Sequence, residues 1–225
     1  VQYLYGVADH NDENTTYTFG PGSSYDFDSN FIFEAVADTD GTDTFDFSAY
    51  DQAIDITLTS GQWLDLGQSH NVLAGFNDRD LYIPDNVTIE NVTGTSFADT
   101  LVGNTVANVI EGGDGADQLT GGAGNDQLTG GPGSDTARFS GNKSDYAITV
   151  GDGTVTVVDQ RINAPDGTDT LTSIETLYFE GDGQTQVLSV SNTAPQATNL
   201  DAAQTTDEDV DLDLTDMVIT DPDSN

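Results

Sequence analysis

The feature that most constrains this chain is a nine-residue repeat near its middle. Glycine returns at a fixed step of nine residues, at Gly94, Gly103, Gly112, Gly121 and Gly130. The five units read GTSFADTLV, GNTVANVIE, GGDGADQLT, GGAGNDQLT and GGPGSDTAR. The sixth position is acidic in four of the five units, and the eighth is apolar in all five. A flexible linker does not keep such a register, so the pattern predicts short stacked strands joined by tight glycine turns.

The units resemble the GGxGxDxUx repeat, which folds as a parallel β-roll and binds calcium in RTX proteins. In that architecture two units complete one coil, so alternate units share an edge. One edge would carry Asp99, Asp117 and Asp135, and the other would carry Asn108 and Asp126. Each coil buries only a thin aliphatic column and brings carboxylates close together, so the roll needs a counter-ion. Calcium suits this need because it accepts about six to eight carboxylate and carbonyl oxygens.

We therefore expect calcium ions between units one and three and between units three and five. The pair of Asn108 and Asp126 lacks one carboxylate and should bind an ion more weakly. Carbonyl groups of the turns would complete each coordination shell. Besides the sixth-position residues, the predicted ligands in the repeats are Gly112, Gly113, Gly115, Gly121, Gly122, Gly124, Gly130, Gly131 and Gly133.

The charge of the chain narrows its possible partners. It carries 40 acidic and 4 basic residues, which gives a formal net charge of −36. Nucleic acid is excluded because the basic surface that phosphates require is missing, and an anionic membrane would repel the chain. The chain has no cysteine, which excludes disulfides and cysteine-based zinc sites. No apolar run reaches the roughly 18 residues of a membrane span, and no signal peptide is visible.

Outside the repeats the sequence predicts strands and turns. Apolar and polar residues alternate over 44–48, 54–59 and 155–158, which is typical of half-buried strands. We predict an all-β fold that combines a β-sandwich, a calcium-binding parallel β-roll and a β-rich cap. The predicted segments are the sandwich over 1–93, the roll over 94–138, the cap over 139–190, and a linker with the start of a further module over 191–225.

Three ordered motifs give the first part of the chain a family resemblance. Residues 41–48 read GTDTFDFS, residues 87–91 read VTIEN, and the repeats follow from Gly94. Residues 1–6 are similar to the end of the last helix of a catalytic domain. Together these segments resemble the C-terminal region of serralysin-type secreted metalloproteases of the RTX group, over residues 1–138.

The resemblance implies two further calcium sites where the sandwich meets the roll. The first would use Asp38, the Asp40 carbonyl and Asp43, completed by backbone groups of Asn11, Glu13 and Thr15. The second would use the Gly41 carbonyl, Asp43, the Thr88 carbonyl and Glu90. The first site departs from the family, because residues 11–15 read NDENT where the family usually has Arg-x-Gly-Asp-Thr. Both motifs of the second site are intact.

The segment after the repeats holds a second turn of the same kind. Residues 166–171 read DGTDTL and are followed by Ile174 and Glu175, which repeats the logic of GTDTF with IEN. This resembles a segment often found after RTX rolls. We expect it to cap the roll and to hold another ion through Asp166, Asp169 and Glu175. The tail from Asn192 resembles the start of a cadherin-like module.

The resemblance also implies a zinc protease as the parent protein, with its ligands in an HExxHxxGxxH helix. This chain has only His10 and His70, and neither lies in that motif. We therefore expect a non-catalytic, zinc-free part of a longer chain, next to a catalytic domain. It would fold on calcium after type I secretion and support the folding and secretion of its extracellular parent.

Two other functions stay open at this point. RTX rolls also accompany polysaccharide lyases and epimerases, and Trp63, Tyr50, Tyr82 and Phe76 either offer a sugar-stacking face or belong to the sandwich core. The first reading makes the chain a glycan-binding accessory module with a polysaccharide as partner. The cadherin-like tail favours a calcium-dependent adhesin segment instead. Binding to polysaccharides and calcium-dependent self-association would distinguish these functions.

Overall fold

The part of the chain that the structure describes consists of β-strands and turns with almost no helix. The computed structural model describes residues 14–20, 34–35, 40–64, 66, 81–151, 153–188, 196–198 and 218–220. The chain divides into one compact unit over 1–188 and a second over 189–225. The described residues contain a single helical element, the 3₁₀ turn Lys143–Asp145, and no helix there is long and apolar enough to cross a membrane. The predicted all-β fold class is confirmed.

Short strands follow one another along the chain, most of them three to five residues long. In the first unit they are β1 Thr16–Thr18, β2 Glu34–Ala35, β3 Thr44–Asp46, β4 Asp55–Thr57, β5 Gln62–Leu64, β6 Leu81–Ile83, β7 Asn91–Thr93, β8 Thr100–Val102, β9 Val109–Glu111, β10 Gln118–Thr120, β11 Gln127–Thr129, β12 Thr136–Phe139, β13 Tyr146–Val150, β14 Val155–Asp159, β15 Thr168–Thr172, β16 Thr176–Phe179 and β17 Gln184–Val187. In the second unit β18 Gln196–Thr198 pairs antiparallel with β19 Val218–Thr220.

Two main sheets build the first unit. Sheet A has the order β1-β3-β7-β9-β11-β15-β14-β13, and sheet B has the order β17-β16-β12-β10-β8-β4. Successive repeat strands alternate between the sheets, since β8, β10 and β12 lie in sheet B while β9 and β11 lie in sheet A. All pairs from β1 to β15 and from β4 to β16 are parallel. This is the two-unit coil that the repeat predicts.

The core of the roll is the column of eighth-position side chains. Leu101, Leu119 and Ala137 are aligned across sheet B, and Ile110 and Leu128 are aligned across sheet A. All five are buried to 1% exposure or less. Because strand side chains alternate between faces, a register slip of one residue would turn this whole column outward. The register of the column therefore fixes where the sixth-position carboxylates lie.

The sheets continue on both sides of the repeats. Strands β3, β7 and β4, which precede Gly94, and strands β15 and β16, which follow Arg138, pair in parallel with repeat strands or with one another. The predicted boundary after residue 93 follows β7 directly, whereas the boundary after residue 138 falls inside β12. Both boundaries therefore lie within sheets that continue on either side of them. The predicted boundary after residue 190 lies close to the division between Leu188 and Ser189. At the far end, antiparallel β13, β14 and β17 complete the sheets.

Candidate metal centre

The sixth-position side chains form a hydrogen-bonded ladder along each edge of the roll. The Asp99 N–H donates to Asp117 Oδ1 at 2.8 Å, and the Asp117 N–H donates to Asp135 Oδ1 at 2.9 Å. On the other edge the Asn108 N–H donates to Asp126 Oδ1 at 2.8 Å. All five residues are buried to 1% exposure or less. Each ladder bond uses one oxygen of a carboxylate and leaves the other to be satisfied elsewhere.

Three of the remaining oxygens have no hydrogen-bond donor. They are Oδ2 of Asp117, Asp126 and Asp135, and all three are buried. Burial raises the pKa of Asp117 and of Asp126 to about 6, against the opposing effect of their ladder hydrogen bonds. Burial also raises the pKa of Asp135, and the Glu175 carboxylate adds to this rise. Buried, unpaired carboxylate oxygens are costly, so these three oxygens call for a cation.

Glycine leaves the space in which such a cation would be held. A Cβ built on Gly112 would lie 2.7 Å from the Gly130 carbonyl oxygen and would collide with Asp117 Oδ2. A Cβ built on Gly130 would collide with the Ser173 carbonyl oxygen and lie 2.5 Å from Asp135 Oδ2. In both places a carbonyl oxygen and an unpartnered carboxylate oxygen border the same small space. An all-oxygen cradle of this kind fits calcium.

The glycines at positions two and four stack the turns on one another. A Cβ on Gly113 would collide with the Thr95 carbonyl oxygen, and one on Gly115 with the Phe97 carbonyl oxygen. Both glycines also have a positive φ, 103° and 140°, a backbone conformation that residues with a Cβ rarely adopt. The predicted glycine ligands with the same two features are Gly122, Gly124 and Gly131. The remaining ones, Gly121 and Gly133, face Asp126 Oδ2 and the Gly115 carbonyl oxygen, respectively.

The first two units satisfy their sixth position with protein donors. Asp99 Oδ2 accepts the Thr95 N–H at 2.6 Å, and Asp99 Oδ1 accepts the Ile54 N–H at 2.8 Å. Asn108 Oδ1 accepts the Asn104 N–H at 2.9 Å. Thr95 and Asn104 stand where units three to five have a second glycine. The ion expected between units one and three therefore finds an unpartnered oxygen on Asp117 but not on Asp99.

The structure also brings Asp43 and Glu90 together. The Asp43 N–H donates to Glu90 Oε2 at 2.7 Å, and the Thr15 N–H donates to Asp43 Oδ1 at 2.9 Å. Asp43 is buried, while Asp40, Gly41 and Thr88 are exposed. The other residues expected at these two sites, Asp38, Asn11 and Glu13, lie outside the described residues.

The three carboxylates expected to share one ion in the cap are separated. Asp169 Oδ1 accepts the Asp126 N–H on one edge of the roll, and Glu175 Oε2 accepts the Asp135 N–H on the other edge. Asp166 accepts hydrogen bonds from the Ser140 and Tyr146 hydroxyls and forms an ion pair with Arg161. The expectation of one ion held by Asp166, Asp169 and Glu175 is therefore wrong, because alternate strands carry 169 and 175 to opposite edges. Burial raises the pKa of Asp169 to about 8.

Sequence analysis did not identify a polar cluster around Arg161, which we call the Arg161 cluster. It contains Ser140, Tyr146, Asp159, Arg161 and Asp166. Arg161 Nη2 lies 2.7 Å from Asp159 Oδ2 and 3.1 Å from Asp166 Oδ1. Tyr146 donates its hydroxyl to Asp166 Oδ2, and Arg161 lies over the Tyr146 ring. The one available signal in the sequence was the scarcity of basic residues, since Arg161 is one of four.

Within the described part of the chain, no three His, Cys, Asp or Glu side chains converge on one point. A candidate site in this part of the chain thus joins at most two carboxylates, and beside Asp117 and Asp135 a backbone carbonyl borders the same space. Comparison with known families matches the RTX calcium-binding nonapeptide repeat to residues 93–128 and 102–137. This part of the chain is a calcium-binding RTX β-roll. No curated protein matches the chain.

Proposed function

We propose that this chain is a calcium-dependent folding module of a secreted protein. The observation that carries the proposal is the set of three buried carboxylate oxygens, on Asp117, Asp126 and Asp135, that have no hydrogen-bond donor. The RTX roll around them binds calcium, and the net charge of −36 supplies a strong repulsion for calcium to relieve. Folding and calcium binding are then one equilibrium.

In this proposal the two edges of the roll bind calcium through different residues. Asp117 and Asp135 would hold calcium on one edge and Asp126 on the other, with turn carbonyls such as that of Gly130 completing the shells. The bound ion supplies positive charge and no redox or acid–base chemistry. Extracellular calcium modules have Kd values of about 10⁻⁴ to 10⁻³ M. Such affinities keep the chain unfolded in a calcium-poor cytosol and fold it outside the cell.

A secreted metalloprotease is the parent that the motifs at 41–48 and 87–91 favour. In this proposal the chain itself is non-catalytic, and type I export delivers it unfolded together with its adjoining catalytic domain. The test is the sequence and activity of the parent protein. We expect an HExxHxxGxxH motif upstream and a peptidase activity that a zinc chelator abolishes. A parent with both the motif and the activity missing would contradict the assignment.

The folding proposal is tested by far-UV circular dichroism of chelator-treated protein during calcium titration, with magnesium as the control. We expect a transition from coil to β-structure with calcium and none with magnesium at equal concentration, because magnesium dehydrates reluctantly and prefers fewer protein oxygens. A spectrum that is already rich in β-structure in chelator and does not change with calcium would contradict the proposal.

A glycan-binding surface is the second candidate function, and the exposure of Trp63 favours it. Trp63 is 38% exposed, and its ring centroid lies 4.9 Å from that of Tyr82. It borders a groove that Asp55, Thr57 and Thr100 also line. Tyr50 is buried and belongs to the core, and Phe76 lies outside the described residues. We expect Trp63→Ala to lose binding to neutral polysaccharides such as xylan, and unchanged retention on xylan would contradict this function.

A further inference from the structure

The turn at 166–170 reproduces the hydrogen bonding of a repeat unit. The Asp126 N–H donates to Asp169 Oδ1, and the Thr170 N–H donates to the Asp126 carbonyl, both at 2.9 Å. Within the repeats, the Asp99 N–H donates to Asp117 Oδ1 and the Gln118 N–H to the Asp99 carbonyl, both at 2.8 Å. Asp126 and Asp169 are 43 residues apart, whereas Asp99 and Asp117 are 18 apart. Asp169 nonetheless takes the sixth position of the next coil.

Glu175 takes the corresponding place on the other edge. The Asp135 N–H donates to Glu175 Oε2 at 2.7 Å, and the Glu175 N–H returns a bond to the Asp135 carbonyl at 3.2 Å. The pair of Asp43 and Glu90 has the same two bonds at the same 2.7 and 3.2 Å. The two Asp–Glu pairs are therefore equivalent steps at opposite ends of the roll.

The repeats meet the segment that follows them at two places, Asp126 with Asp169 and Asp135 with Glu175, which we call the joints. At each joint the repeat Asp has a carboxylate oxygen without a hydrogen-bond donor. Asp126 and Asp135 are the last sixth-position residues of the repeats on their edges, and the Oδ2 atom of each is buried without a donor. Asp126 is 1% exposed and Asp135 is fully buried. The space that a Cβ on Gly130 would fill is bordered by Asp135 Oδ2 and by the carbonyl of Ser173, which belongs to the segment after the repeats. At this joint the oxygens thus combine a repeat unit with that segment, while at the other joint the link is the bond from the Asp126 N–H to Asp169 Oδ1.

We propose that calcium joins the repeats to residues 166–175 at two composite sites. One site uses Asp126 and Asp169, and the other uses Asp135, Glu175 and the Ser173 carbonyl. This inference rests on the proposed function, and it adds ligands outside the matched repeats at 93–137. The ions would fasten β15 and β16 to the roll, so the cap itself becomes part of the calcium-binding structure.

The first test counts the calcium ions bound to the 225-residue chain at saturating calcium by native mass spectrometry. The variants are Asp169→Asn and Glu175→Gln, and the matched control is Glu111→Gln, which removes the same charge from an exposed side chain of β9. We expect each variant to lose one ion and the control to lose none. Variants that retain the ion count and affinity of the control would overturn the composite sites, whereas a wild-type chain that binds no calcium would overturn the proposed function.

The second test needs no variant and covers the case in which one fails to fold. Anomalous diffraction from calcium-grown crystals of the wild-type chain locates the ions directly. We expect peaks about 2.3–2.6 Å from carboxylate oxygens of Asp126 and Asp169, and of Asp135 and Glu175. Peaks at Asp117 with none at either joint would overturn the inference and leave the proposed function standing.

Discussion

The roll and the Arg161 cluster bury acidic side chains in different ways. In the roll, Asp117, Asp126 and Asp135 each have a buried oxygen without a donor. In the cluster, Arg161 forms ion pairs with Asp159 and Asp166. Asp159 also accepts the Asp166 N–H, and Asp166 accepts the Tyr146 hydroxyl. The cluster supplies its own cation, whereas under the proposed function the roll takes one from solution.

This difference follows from the composition of the chain. With 4 basic residues for 40 acidic ones, the chain can neutralise few carboxylates internally. Arg161, which lies between β14 and β15, neutralises carboxylates of the cluster, and under the proposed function calcium neutralises those of the repeated turns. We therefore expect calcium dependence to be concentrated in the turns of the roll and its joints, and the Arg161 cluster to respond to charge substitutions but not to calcium.

The largest effect is expected from removing the internal cation. Arg161→Met leaves the fully buried Asp159 side chain without its partner, and breaking such a pair costs about 3–5 kcal/mol. Urea unfolding at saturating calcium measures this loss, and we expect the number of bound ions to stay unchanged.

Arg138→Met is the matched control for Arg161→Met. Arg138 pairs with Glu180, and both side chains are about one-third to one-half exposed, so we expect a loss of no more than about 1 kcal/mol. Equal losses in the two variants would show that burial of the ion pair is not what matters, and a lower ion count in Arg161→Met would remove the distinction between the two regions.

Filling a cradle should have the next largest effect. In Gly130→Ala the new methyl group would collide with the Ser173 carbonyl and crowd Asp135 Oδ2. Overpacking of this kind costs about 1–3 kcal/mol, and calcium affinity should fall with it. Gly151→Ala is the control, because its nearest contacts would be at 3.6 Å. Calcium-dependent unfolding curves that are the same for both variants would contradict the cradle.

A comparison inside the roll should give a smaller effect. Asp117 has an unpartnered oxygen, whereas the oxygens of Asp99 accept from Thr95 and Ile54. We expect Asp117→Asn to weaken calcium binding about tenfold or more, which is about 1.4 kcal/mol, and Asp99→Asn to weaken it less. Isothermal titration calorimetry with calcium measures both variants. An equal or larger loss in Asp99→Asn would mean that the donor pattern does not mark the ligands.

The smallest effect is expected in acid. Burial opposes ionisation of Asp159, but hydrogen bonds from Arg161 and the Asp166 N–H outweigh it and lower the pKa to about 2. An unfolded Asp has a pKa of about 3.9, so Asp159 contributes stability above about pH 4 and loses it as the pH falls towards 2. Between these pH values wild type should lose more stability than Asp159→Asn in urea unfolding. Parallel losses would argue against this assignment.

The repeat spacing was sufficient to predict the parallel roll and its two edges, because a nine-residue register is a local property. The extension of the sheets was harder to see, since β3 and β15 join the stack through long intervening segments. Its traces in the sequence were the two DGTDT turns, at 40–44 and 166–170, and the Ile–Glu pairs at 89–90 and 174–175 that follow them.

Which sixth-position oxygens lack a hydrogen-bond donor could not be predicted, because the donors come from residues that the repeat pattern does not specify. Thr95 and Asn104 each donate a backbone N–H to the sixth position of their own unit. Their replacement of the second glycine was visible in the sequence, but its consequence for hydrogen bonding was not. The pairing of Arg161 with Asp166 likewise depends on how the closing strands meet.

Residue-resolved amide hydrogen exchange tests the central claim most directly. The amides to follow are those of Asp99, Asn108 and Asp117, which donate to the carboxylate ladder. We expect strong protection in millimolar calcium and rapid exchange in chelator, because without calcium the buried carboxylates repel one another and the ladder opens. Equal protection in calcium and in chelator would show that the roll is stable without the ion and would contradict the account.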